Sequence, residues 1–117
     1  MITRAEIDAA IDGCGIEWAE ATFAPRKAPE PPYATVRDEL RYEGSDEHVG
    51  MVGHDTRILL YDKGDAAGRA MRESLARALA GLGAPFTRYP PDYSYELKLF
   101  ETEFAFDETY YEKWSEQ

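Results

Sequence analysis

Between positions 65 and 85 one stripe of apolar residues, Ala67, Ala70, Met71, Leu75, Ala78, Leu79 and Leu82, recurs at helical spacing, and no other stretch constrains the fold as strongly. A helix that is apolar along one side has to lay that side on an apolar surface. Asp65 is placed to cap its first turn, and Gly83 and Pro85 to end it. The surface it needs is offered by its neighbours in sequence. Residues 56–61 (Thr-Arg-Ile-Leu-Leu-Tyr) read as a strand, apolar on both faces in its second half, which predicts a central place in a sheet covered on both sides. Residues 95–106 alternate in their second half, with Phe100, Thr102, Phe104 and Phe106 on one face and Glu101, Glu103 and Ala105 on the other. A short strand near 86–89, ended by Pro90-Pro91, is expected before them.

Toward the N-terminus, Thr3 and Glu6 have capping-box spacing, and Ile7, Ala10, Ile11 and Cys14 follow at intervals of three and four. This predicts a first helix over 4–12, ended by Gly13 and Gly15, with Cys14 facing the core as a small hydrophobe. Residues 24–32 hold four of the seven prolines and sustain neither helix nor central strand. They form an extended connector into a loosely alternating strand over 33–40. From 41 to 55 the chain is rich in Gly, Ser, Asp, Glu and His, the pattern of a long mobile hairpin connection of the kind that is functional or becomes ordered on binding. The pattern is that of an α+β domain: a small, mostly antiparallel sheet with two helices packed on one face, and with parallel connections too short except across the second helix.

The length of 117 residues allows one such domain, 1–117. Its apolar share of 44% and aromatic share of 13% are those of a folded chain rather than a disordered acidic one. The formal net charge of −10 argues against specific nucleic-acid binding and against anionic membranes. In its simplest reading that charge keeps the protein soluble. A single cysteine excludes an intrachain disulfide and a thiolate metal cage, and fits a reducing compartment. The first residues lack the apolar run of a signal peptide, and no stretch approaches a membrane span, so a cytoplasmic setting is expected.

The chain offers little chemistry. His48 and His54 lie near Asp46, Glu47 and Asp55, but their spacing fits no metal motif, and a Gly-rich loop supplies no rigid frame for ligands. Ser45, three residues from His48, and Ser74, on the second helix, both lack the context of an activated nucleophile. Gly44, Gly50 and Gly53 form no phosphate loop, since no Gly-Lys-Ser/Thr follows. No catalytic residue, cofactor or metal is implied, and the protein is expected not to be an enzyme.

Three features point to protein contacts instead. Arg69, Arg72, Glu73 and Arg77 are assigned to the outer face of the second helix, as a solvated face or as an inter-subunit surface for acidic neighbours. Tyr110 and Trp114, four apart in the polar tail 107–117, would share a helix face and dock on the core or on a partner. His48 and Met51 fall in the 41–55 connection, which would order on a partner.

Several short motifs occur in an order that resembles the tail-completion, or tail-terminator, proteins of long-tailed bacteriophages and prophages. They are Pro31-Pro32-Tyr33, the strand Arg57-Ile58-Leu59-Leu60-Tyr61-Asp62, the helix end Leu79-Ala80-Gly81-Leu82-Gly83, Phe86, and a segment carrying Tyr93, Glu96, Lys98, Leu99 and Phe100. The resemblance covers roughly residues 31–106 and involves no catalytic anchor. It implies a virion neck protein, present in the host cytoplasm before assembly. In that role it forms a ring, expected to be six-fold, that caps the tail tube and joins tail to head through a connector protein. The alternative from a different class is a small acidic regulator or DNA mimic that binds a basic host partner.

Overall fold

Two helices form where their caps and stripes place them. Thr3 caps α1 (Arg4–Gly13) by accepting from the Glu6 backbone N–H, and Ile7 and Ile11 are buried one turn apart. Asp65 caps α2 (Ala66–Ala80) by accepting from the Gly68 N–H, and Leu75 and Leu79 are buried. The computed structural model describes the backbone of residues 2–24, 27–44 and 49–115, and the side chains of these outside 41–44, 49–52 and 108–115.

The helices lie on one face of a six-stranded sheet built from β1 (Glu17–Glu20), β2 (Tyr33–Gly44), β3 (Val49–Asp62), β4 (Thr87–Arg88), β5 (Asp92–Ser94) and β6 (Leu99–Ser115). The spatial order is β1-β2-β3-β6-β4, with β5 also paired to β6. Every pairing is antiparallel except β1 with β2. The α+β class with a mostly antiparallel sheet is therefore what the chain adopts. α2 joins β3 to β4, which run the same way with β6 between them, a split β-α-β unit.

The core lies between helices and sheet: Ile7, Ile11, Leu75 and Leu79 meet Ala34, Val36, Ile58, Leu60, Phe104 and Phe106. The alternation 100–106 assigns those strand residues correctly, since Phe104 and Phe106 face the helices while Glu101 and Glu103 face away. Cys14 packs half-buried against this core, and burial pushes its thiol pKa up.

Four sequence expectations change. First, β3 is central, but the helices cover only one of its faces; on the other, Arg57 and Leu59 remain half-buried. Second, residues 41–44 and 49–55 are paired strand, so the expected hairpin is there, and its strands extend through most of what reads as its connection. β2 runs to Gly44 and β3 starts at Val49, in register from Tyr33↔Tyr61 to Gly44↔Gly50. Polar composition hid this because each strand gains its partner from the hairpin and not from its own apolar pattern. Third, the tail is strand, not helix: β6 continues to Ser115, pairing Tyr110 with His54 and Trp114 with Gly50. Aromatic and β-branched residues there suit a pleated surface, and β3 presents a free edge to receive them. Fourth, a parallel crossover occurs away from the second helix: β1 reaches β2 through the Pro-rich connector.

Past the helices, β2, β3 and β6 form a three-stranded arm. Its presence shows in the overall dimensions of 53 × 32 × 22 Å and in a radius of gyration of 15.9 Å, where a compact chain of this length has about 13 Å. The surface of 7271 Å² likewise exceeds the roughly 6,400 Å² expected for this mass. The arm is the added length.

Because Phe104 and Leu79 are fully buried between helices and sheet, Phe104→Ala or Leu79→Ala is expected to cost about 2–5 kcal/mol. Leu97→Ala, half exposed, is expected to change stability by less than about 0.5 kcal/mol; urea denaturation midpoints test the contrast.

Candidate functional site

At the end of β3 the chain must turn sharply into α2, and a buried ion pair holds the turn. The Asp62 carboxylate, fully buried, accepts from Arg72 Nε at 2.7 Å and Nη2 at 2.8 Å. It also accepts from the Gly64 backbone N–H at 2.7 Å. Arg72 is thus only 9% exposed and is not part of an outer basic face, as its spacing suggested. Its guanidinium lies 5.3 Å from the Phe100 ring centroid. The glycines are required here. A Cβ on Gly68 would come within 2.6 Å of Asp62 Oδ1, and Gly64, at φ +76°, would place one 2.4 Å from the Phe100 ring. These bonds tie the end of β3 to α2, so the pair fixes strand to helix.

A second network closes the other side of the helix layer. Arg4 bonds Asp8 at 2.7 Å, pairs with Glu20, lies 3.4 Å from Asp38, and covers the Trp18 ring at 5.6 Å. Burial alone would lower its pKa, but the bonds to Glu20 and Asp8 outweigh it and the net shift is upward. Asp38 in turn accepts from Thr56 Oγ1 at 2.7 Å and stands 3.4 Å from His54 Nδ1. Hydroxyl, carboxylate and imidazole thus meet, but Thr56 donates to the carboxylate and is fully buried, so it presents no nucleophile to a substrate.

Where β3 runs into α2, the face of the sheet away from the helices is aromatic. Tyr33 stacks on Tyr61 with centroids 5.1 Å apart, Phe23 meets Tyr33 edge-on at 5.4 Å, and Leu99 joins them. Burial first, and then the Glu101 carboxylate, push the Tyr61 hydroxyl up to about 12. A hollow of about 200 Å³ beside Phe23, Tyr33, Tyr61 and Leu97 falls short of the roughly 300 Å³ at which ligand pockets begin. Nearby, Tyr93, Tyr95 and Leu97 are exposed, Tyr95 by 85%. Sequence reading placed Tyr95 and Leu97 inside one long strand. Instead a turn over 94–98 separates β5 from β6. It is held by Lys98 N–H to the Ser94 carbonyl (2.7 Å), with Lys98 at φ +57°. The usable signal was Ser94, whose hydroxyl accepts the Leu97 N–H at 3.2 Å.

The remaining expected contact residues divide between two places. On α2, Arg69 is exposed and donates to the Gly64 carbonyl at 2.6 Å, Glu73 pairs with Arg88 at 2.8 Å, and Arg77 is exposed in the last turn. On the arm, Met51 pairs in register with Glu43 and Lys113, so Met51, Tyr110 and Trp114 share one three-stranded segment. His48 lies outside the described residues. Among the described residues no group of His, Cys, Asp or Glu is placed to hold a metal ion. Among the described residues no helix is long and apolar enough to cross a membrane. In comparison with known proteins, the chain matches no protein-family model and no curated sequence.

Removing Arg72 strands the Asp62 carboxylate in the core, so Arg72→Ala is expected to cost about 3–5 kcal/mol, whereas Arg77→Ala changes stability by about 0.5 kcal/mol or less. Equal effects of the two in chemical denaturation would contradict the assignment. A further expectation concerns alkali. Above pH ~10 unfolded tyrosines ionise, while Tyr61 in the fold keeps its proton toward pH about 12. Its contribution is therefore complete below pH ~10 and declines as pH rises through the folded value. Tyr61→Phe should show a shallower loss of melting temperature between about pH 9.5 and 11.5.

Proposed function

We propose that the protein is a structural neck component of a long-tailed phage or prophage, a tail-completion subunit that caps the tail tube and joins tail to head as an oligomeric ring. The observation that carries this reading is spatial. Segments of the resemblance that are far apart in sequence meet at one end of the sheet. Tyr33 follows Pro31-Pro32 and stacks on Tyr61; Leu99 joins that cluster; Phe100 covers the Arg72 side of the Asp62 pair. The helix end at Leu79 and Leu82, and Phe86, pack instead in the core on the helix side, so the motifs build the two faces of one sheet.

Other properties suit the role. The buried charges are engaged in internal pairs, which leaves the protein to act through its surfaces. Two ring neighbours at about 800 Å² each would cover about a fifth of its 7271 Å². A charge of −10 suits a channel through which DNA slides without sticking. The ring's partners are the tail tube protein on one side and a head-tail connector protein on the other. The assembled location is the virion, after synthesis in the host cytoplasm.

The test is assembly. Purified protein at high concentration, or mixed with tail tubes, is expected to give rings or capped tubes in negative-stain images and matching masses in sedimentation. A chain that stays monomeric and instead competes with DNA for a basic protein would be a DNA mimic. The structure also changes which arginines probe the helix surface. Arg69→Glu/Arg77→Glu, which spares the buried Arg72, is expected to keep the folded monomer and weaken ring formation at least tenfold in the concentration required. Unchanged assembly would remove α2 from the interface.

A further inference from the structure

The arm has two open edges. β1 covers the outer edge of β2 only as far as Val36, so from 37 to 44 no strand among the described residues pairs with it. On the far side, β5 and β4 cover β6 only up to Ala105, and from 107 to 115 its outer edge carries no strand among the described residues. Each edge therefore presents outward-pointing backbone N–H and C=O groups to any strand that can reach them. Water satisfies such groups at a small net cost, and a neighbouring strand satisfies them with a ladder.

The directions of these edges restrict the partner. β2 and β6 are both antiparallel to β3, so the two edges run the same way. Two copies related by a two-fold axis would join like edges antiparallel and leave the other pair open. Copies arranged around an axis along the strands would instead join unlike edges, β6 of one to β2 of the next, in parallel, and close into a ring with no open edge. The rows of the arm indicate what would then meet. Leu40, His54 and Tyr110 stand at one level, and Glu43, Met51 and Lys113 at another. Level pairing between copies sets Leu40, 48% exposed, beside Tyr110, Arg41 beside Tyr111, and Glu43 beside Lys113. The stagger that a closed barrel requires moves these partners by two residues at a time and keeps the faces matched.

We infer that a second copy of this chain is the occupant of the arm's edges, through parallel pairing of the β6 edge over 107–115 with the neighbour's β2 edge over 37–44. This rests on the ring reading given above and names the contact that would build the ring. The joined arms form a continuous barrel around the axis.

Cysteine cross-linking of the full-length chain tests it. In a Cys14→Ala background, Arg41→Cys or Glu43→Cys marks the β2 edge, and Tyr111→Cys or Lys113→Cys marks the β6 edge. Mild oxidation at ring-forming concentration is expected to link a β2-edge variant to a β6-edge variant and neither to itself. The double variant Glu43→Cys/Lys113→Cys should give a ladder at multiples of 13.2 kDa ending at the ring. Circular dichroism and sedimentation of the reduced variants establish that each remains folded and assembles. Rings that form with no β2–β6 link, or with links only between like edges, would overturn the arm contact and leave the ring reading standing. Protein that stays monomeric at every concentration and caps no tail tube would overturn both.

Discussion

The Asp62–Arg72 pair is the constraint on which the layering depends. A strand that ends in the core must hand over to a helix that starts there, and the first turn of that helix brings unsatisfied N–H groups with it. Asp65 satisfies one of these at the Gly68 N–H, while Asp62 takes the Gly64 N–H and both branches of the arginine ten residues on. The bidentate geometry fixes the rotation of α2 about its axis as well as its distance from β3, which point contacts between aliphatic side chains would not do. With α2 set in this way, Leu75 and Leu79 face Ile58 and Leu60, and Phe100 closes over the pair from β6.

The Arg4 network does a related job at the opposite corner. One guanidinium ties the first turn of α1 to β1 through Glu20 and to β2 through Asp38, and Asp38 reaches on to Thr56 of β3. A fully buried cation would be costly to desolvate, so its carboxylate partners are what make the site tolerable. Both networks lie at margins of the helix layer, where the apolar core thins and packing alone would leave the helices free to slide. Beyond them the sheet runs on without helices, and there the backbone ladder is the cohesive element.

This division also bears on function. The chemistry-bearing side chains that could be mistaken for a catalytic group, Asp38, His54 and Thr56, are engaged in holding strands and helix together. What the fold leaves available is surface: an aromatic turn with Tyr93, Tyr95 and Leu97, two arginines on α2, and the edges of the arm. These are the surfaces on which the proposed ring contacts draw.

The sequence by itself determined both helices nearly to the residue, because capping side chains and apolar periodicity are local properties. It also determined the faces of the 100–106 strand, because alternation with period two is local as well. The small α+β class followed from the order of those elements. Tertiary structure alone decided whatever depends on a distant partner. Arg72 shares its helix with Arg69 and Arg77 and carries the same charge, yet only the position of Asp62 across the layer makes it a core residue. Residues 41–44, 49–55 and 107–115 carry a loop's composition and become strands because each supplies hydrogen bonds that another lacks. Strand pairing is a contract between segments far apart in the chain, so neither its register nor the open edges it leaves can be seen in one segment alone.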